Sequence, residues 1–271
     1  MALTAFQREV CLLLARHRIE SGESYVAGGA ALNAILRQPR VSRDVDVFHD
    51  SREAVNRSWE ADRDILQHAG YDVQPLTERP TYVEAVIEAR RGRVVVQWAE
   101  DSAYRYFPLV EHPDFGLTLH PFDLATNKVL ALVGRLEVRD WLDVIACCEY
   151  LQPLGYLAWS ATGKDPGLSP TRILSEARRS SRYTREEVSE LAFEGPPPDA
   201  GELSRSWKDL LDQAVAIVDI LPGEHCGSCV LDASGELLRA APDMLSDLLE
   251  QNAVWFHYPA LYGSLPIIVQ R

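Results

Sequence analysis

Residues 41–48 alternate in strict period two, with Asp44 and Asp46 on one face and Val45 and Val47 on the other. Such a segment reads as a half-buried β-strand, apolar side in the core and charged side free. What precedes it narrows the fold further. Residues 24–27 are aromatic and β-branched enough for a short strand, which runs directly into Gly28 and Gly29. A helical pattern follows over 30–36 and Pro39 stops it. The order is therefore strand, glycine turn, short helix, acidic strand.

Apolar residues at helical spacing predict helices up to about residue 20 and over 52–69. The runs 82–89 and 93–98 flank Arg90-Arg91-Gly92 as a hairpin. Helices are expected over 122–134, stopped by Gly134, and over 138–151. The fold class expected is α+β: a small mixed β-sheet core flanked by helices over 1–150, then a mainly helical region over 151–271. Glycine- and proline-rich stretches at 163–167 and 195–201 read as loops, and residues 232–235 as the turn of a short hairpin.

At 271 residues the chain can bury a full core, and its 46% apolar and 25% charged content is that of a globular protein. The apolar cluster at 10–14 is too short to span a membrane and has no basic leader, and no other stretch reaches the roughly 18 apolar residues a span needs. Five cysteines, two of them adjacent at Cys147 and Cys148, suit reduced thiols. A soluble, cytoplasmic protein without a membrane partner is the expectation. His225, Cys226 and Cys229 form an H-C-x-x-C cluster that lacks the second ligand pair of a common zinc site. The formal net charge of −13 opposes nonspecific binding to a polyanion, although Arg172, Arg178, Arg179, Arg182 and Arg185 form a locally basic stretch. That stretch is either a solvated helix face or a contact for an RNA or a nucleotide tail.

Side chains two apart on a strand project from one face with roughly 7 Å between their Cα atoms, so Asp44 and Asp46 can converge on a hard cation. Backbone N–H groups at a diglycine helix start can meet phosphate oxygens, and Asn33, one turn in, can reach the same anion or a sugar hydroxyl. Lys128 falls on the apolar stripe of its helix and needs an anionic partner there, which a triphosphate, Asp140 or Asp143 could supply.

Gly28-Gly29-Ala30 through Asn33, followed by Ser42-Arg43-Asp44-Val45-Asp46-Val47-Phe48, resembles the signature of nucleotidyltransferases of the DNA polymerase beta type. Phe122-Asp123-Leu124-Ala125-Thr126-Asn127-Lys128 with Arg139-Asp140-Trp141-Leu142-Asp143 is similar to a second block of one branch, the AbiEii/AbiGii toxin-like nucleotidyltransferases. The resemblance implies transfer of a nucleoside monophosphate from an NTP to an acceptor hydroxyl with Mg2+ or Mn2+. It implies metal ligation by Asp44 and Asp46, nucleotide binding by Gly28, Gly29, Asn33, Lys128 and Asp140, and an active centre completed by Asp143. An RNA acceptor, tRNA in some members, and a cognate antitoxin as partner come with it. Where the polymerase-type pattern has a third carboxylate on a later strand, this chain offers Gln97; Glu84, Glu88, Asp101 and Asp143 are the acids that could serve instead. Without such an acid the alternative is a nucleotide-binding module of the same fold that lacks turnover.

Overall fold

The computed structural model describes residues 3–268, with nothing said of the side chains of Ser181 and Arg182, so Arg182 of the basic stretch lies outside the described residues. The fold is α+β, and the chain forms two compact units. The first comprises residues 1–103, 108–120 and 192–195; the second comprises 104–107, 121–191 and 196–271. Helices expected over 122–134 and 138–151 thus group with the second unit.

The first unit opens with α1 (Ala5–Ser21), whose Thr4 and Gln7 form a reciprocal capping box and whose end is set by Gly22 in the left-handed region. Then come β1 (Tyr25–Ala27), α2 (Gly28–Ile35), β2 (Asp44–His49), α3 (Arg52–His68), β3 (Asp72–Arg79), β4 (Tyr82–Ala89) and β5 (Gly92–Glu100). After β6 (Tyr104–Arg105), which belongs to the second unit, β7 (Val110–His112) and β8 (Gly116–Thr118) complete a seven-stranded mixed sheet of order β3-β4-β5-β2-β1-β8-β7. The β2–β5 pairing is parallel and β1–β2 antiparallel, with Ala27 opposite Asp46.

One face of this sheet, carrying Val45, Val47, Val83, Ala85, Val94, Val96 and Trp98, is buried, and α1 and α3 pack on these strands. Asp62 of α3 accepts from Trp98 Nε1 at 2.9 Å and pairs with His17 of α1 at 3.1 Å, fastening both helices to the sheet. The opposite face carries Asp44 and Asp46, both half-buried. Residues 192–195 return to this unit: Val41 N–H donates to Ala192 O, and Glu194 N–H donates to Pro39 O.

The second unit holds α4 (Pro121–Arg135), α5 (Val138–Tyr150), α6 (Leu154–Ala161), α7 (Pro170–Ala177), α8 (Arg185–Ser189), α9 (Ala200–Ile220) and α10 (Pro242–Glu250). Gly134 does not stop α4, which runs one residue further and ends where Leu136 turns to a φ of 54°. The region is not helical alone. β9 (Cys229–Asp232) pairs with β10 (Val254–His257), and β11 (Ala260–Leu261) pairs with β6. The expected turn at 232–235 is present: Asp232 accepts from the backbone of Ser234 and Glu236. A core of Tyr156, Trp159, Ile217, Leu221, Val230, Leu238 and Leu245 joins α6, α9, β9 and α10. Among the described residues no helix is long and apolar enough to cross a membrane.

Candidate active site

In the first unit the strand β1 ends at Ala27 and α2 begins at Gly28 without a side-chain cap, so its first N–H groups lack the usual internal acceptor. Gly28 has a φ of +66°, and a Cβ there would collide with Asp46 Oδ2. Both constraints admit glycine alone. The close approach places the Asp46 carboxylate against the positive end of α2, where the helix dipole favours negative charge. A Cβ on Gly29 would lie 2.7 Å from Arg40 Nη2 and 3.4 Å from Ser42 Oγ, so a buried guanidinium and a hydroxyl stand beside the same turn. Ser42 Oγ donates to Asp44 Oδ1 at 3.2 Å, while its carbonyl accepts from Gln7 Nε2 of α1 at 2.8 Å.

Asn33 is buried and its Nδ2 has no partner among the described residues. It lies four residues after Gly29, hence on the same helical stripe, and helical side chains lean toward the N-terminus. An orphaned buried donor beside an uncapped helix start calls for an oxygen from outside the chain, a water or a ligand.

Across the sheet, Asp46 stands opposite Gln97 of β5, and Gln97 stands opposite Glu84 of β4. Directly opposed residues share a face, so Asp44, Asp46, Gln97 and Glu84 occupy one surface. Gln97 Nε2 donates to Glu84 Oε1 at 3.2 Å. Tyr82, on the same face, has its phenol pushed up, first by burial and then by Glu84, Asp46 and Asp44. The other acids are placed elsewhere. Glu88 is exposed opposite Arg93, and Asp101 binds the backbone N–H of Ser102 beyond the strand.

Among the described residues no three His, Cys, Asp or Glu side chains are grouped to hold a cation unaided. Mg2+ is usually bound by one or two carboxylates with substrate phosphates and water completing its shell. Two acids beside a glycine-opened helix start fit that ion.

In the second unit Lys128 of α4 is buried with its ammonium 3.0 Å from Asp140 Oδ1 and 2.9 Å from Asp143 Oδ2 of α5. Burial alone would lower its pKa, but the carboxylates of Asp143 and Asp140 outweigh it and hold the pKa above the usual lysine range. Asp140 also takes Arg135 Nε at 2.6 Å; opposing its burial, Arg135 and Lys128 hold its carboxyl below the usual range. Asp123 accepts the backbone N–H groups of Tyr106 and Phe107 at 2.9 and 3.0 Å and pairs with Lys164 at 2.7 Å. The structure thus gathers Gly28, Gly29, Asn33, Asp44 and Asp46 in the first unit, and Lys128, Asp140 and Asp143 in the second.

A scan against protein-family models finds none that matches, and no curated protein matches either. Solved structures that are similar to this chain include two nucleotidyltransferases by name. One, provisionally named a nucleotidyltransferase, is from H. pylori, at 13% identity and a TM-score of 0.46 over 78% of this chain and 92% of that one. The other is MenT4, a nucleotidyltransferase toxin from Mycobacterium tuberculosis, at 14% identity and a TM-score of 0.44 over 81% of this chain and 83% of that one. The likeness is one of fold. The chemistry rests on this chain's own residues.

Arg40 and Tyr82 escaped sequence reasoning, and Ser42 entered it only as the first residue of the signature around Asp44 and Asp46. Parity was the available signal for two of them, since Arg40 and Ser42 are an even number of residues before Asp44 and Asp46. The described arginines of the basic stretch are paired with acids: Arg172 and Arg179 share Glu176, Arg178 pairs with Asp212 and Arg185 with Asp199. The H-C-x-x-C cluster is dispersed. His225 stacks on Phe256 and bonds Tyr258, Cys226 is exposed, and Cys229 is buried in β9.

Proposed function

We propose that this chain is a metal-dependent nucleotidyltransferase that moves a nucleoside monophosphate from an NTP to an acceptor hydroxyl. The observation that carries the reading is the Asp46 carboxylate seated against Gly28 at the uncapped start of α2, with Asp44 on the same strand face. Asp44 and Asp46 hold a divalent cation, which when bound neutralises the triphosphate and lowers the pKa of the attacking group. The N–H groups at Gly28 and Gly29 orient phosphate oxygens, assisted by the helix dipole. Arg40 adds fixed positive charge beside the turn, and Asn33 offers its free donor. The acceptor oxygen then attacks the α-phosphorus, the bond to the β-phosphate bridging oxygen breaks, and pyrophosphate leaves. The sequence resemblance supports RNA, tRNA included, as the acceptor and an antitoxin as a protein partner.

The test is incubation with each α-labelled NTP, Mg2+ and the RNA, protein and small-molecule fractions of a cell extract. Label should enter one fraction and should vanish with Asp46→Ala. A second reading, a nucleotide-binding module without turnover, draws on the neutral Gln97 directly opposite Asp46. Triphosphate binding without label transfer to any fraction would favour it.

A further inference from the structure

We propose that Glu84 is the carboxylate that takes the proton of the acceptor hydroxyl, and that Gln97 is the positioning residue that holds it toward the Asp44–Asp46 pair. The proposal rests on the nucleotidyltransferase reading of that pair. Three consecutive strands place Asp46, Gln97 and Glu84 directly opposite one another in a row. With neighbouring strands about 4.8 Å apart, Asp46 and Glu84 flank a gap of about 10 Å between Cα atoms, floored by Gln97. A hydroxyl lying over Gln97 has a carboxylate on either side.

Gln97 cannot accept a proton usefully, because an amide is far too weak a base. Its Nε2 donates to Glu84 Oε1 at 3.2 Å and, together with the hydrogen bond from the Tyr82 phenol, holds the Glu84 carboxylate on this face. Glutamate is one methylene longer than aspartate, which offsets part of the extra strand of distance. Glu88 and Asp101 are excluded by their positions, and neither stands in register with Asp46. In the reaction the acceptor O–H proton passes to Glu84, the freed oxygen forms the bond to the α-phosphorus, and the electron pair of the broken P–O bond leaves with pyrophosphate.

The experiment compares the full chain with Glu84→Gln and with the exchange E84Q/Q97E, using α-labelled NTP, Mg2+ and the fraction that the parent labels. Glu84→Gln keeps the oxygen that Gln97 donates to and the fold, checked by thermal unfolding, yet removes the base. Turnover should fall by about 100-fold or more, the usual contribution of a general base, while KM for the triphosphate moves less than about twofold. The exchange, which returns a carboxylate to the strand beside Asp46, should recover at least about tenfold over Glu84→Gln. A merely structural Glu84 predicts no such rescue. Equal turnover of Glu84→Gln and parent overturns the proposal alone, and so does an exchange no more active than the single variant. A parent that labels no fraction sinks the reading of the site itself, and this proposal with it.

Discussion

Gly28 combines a φ of +66° with a Cα pressed against the Asp46 carboxylate. Gly28→Ala should therefore cost about 1–3 kcal/mol of stability, from left-handed backbone strain and displacement of Asp46. Gly29→Ala carries no left-handed strain and presses instead on the buried Arg40 Nη2 and on Ser42 Oγ, so it should cost less, a difference readable from urea midpoints. The histidines near the sheet act in opposite senses with pH. Burial lowers the pKa of His49 to about 4, although Nδ1 lies 3.3 Å from Ala99 O. Its folded pKa lies below the unfolded value, so the native state binds fewer protons between about pH 4 and 6.5, and stability falls as pH drops through that window, by about 3 kcal/mol in total. His17 is raised, first by its hydrogen bond to Asp62, so its contribution is present below its unfolded pKa and is lost as pH rises through the folded one. His49→Phe should flatten the acidic limb of the stability curve relative to the parent, as measured by urea unfolding across that range.

Helices α4 and α5 are joined through Lys128, Asp140 and Asp143, three charges with little exposure. Lys128→Met would remove the ammonium from between two buried carboxylates, Asp140 keeping Arg135, and should cost about 3–5 kcal/mol in urea unfolding. Spacing alone left Lys128 with either a phosphate or these acids as partner, and packing supplies the acids. Elements with strong periodicity were legible: α1, α2, β2, α3, the β4–β5 hairpin, α4 and α5 lie within a few residues of their expected bounds. β3 was not. It is an edge strand, mostly exposed, with Pro75 at a register shift, so neither face carries an apolar alternation to read. The pairs β9–β10 and β6–β11 depend on segments distant in sequence, for which local pattern offers no cue. At the site, the diglycine turn and the Asp pair were visible in the chain, whereas the row Asp46, Gln97, Glu84 needed the strand order β4-β5-β2.

The two units are discontinuous in sequence, and residues 192–195 complete the first by pairing with Pro39, Arg40 and Val41 just ahead of the acidic strand. A fragment of residues 1–150 lacks that pairing and carries α4 and α5 without α6 and α9. It should lose the cooperative unfolding transition of the full chain and show fast amide exchange over 39–44. With a net charge of −13, the whole molecule should bind random nucleic acid weakly, so any RNA acceptor must be recognised by local contacts. The most direct measurement is a crystal structure of the full chain with Mn2+ and a non-hydrolysable NTP. Anomalous density between Asp44 and Asp46, with phosphate oxygens at the N–H groups of Gly28 and Gly29, is the predicted result. Triphosphate and Mn2+ bound away from that strand and turn would contradict it.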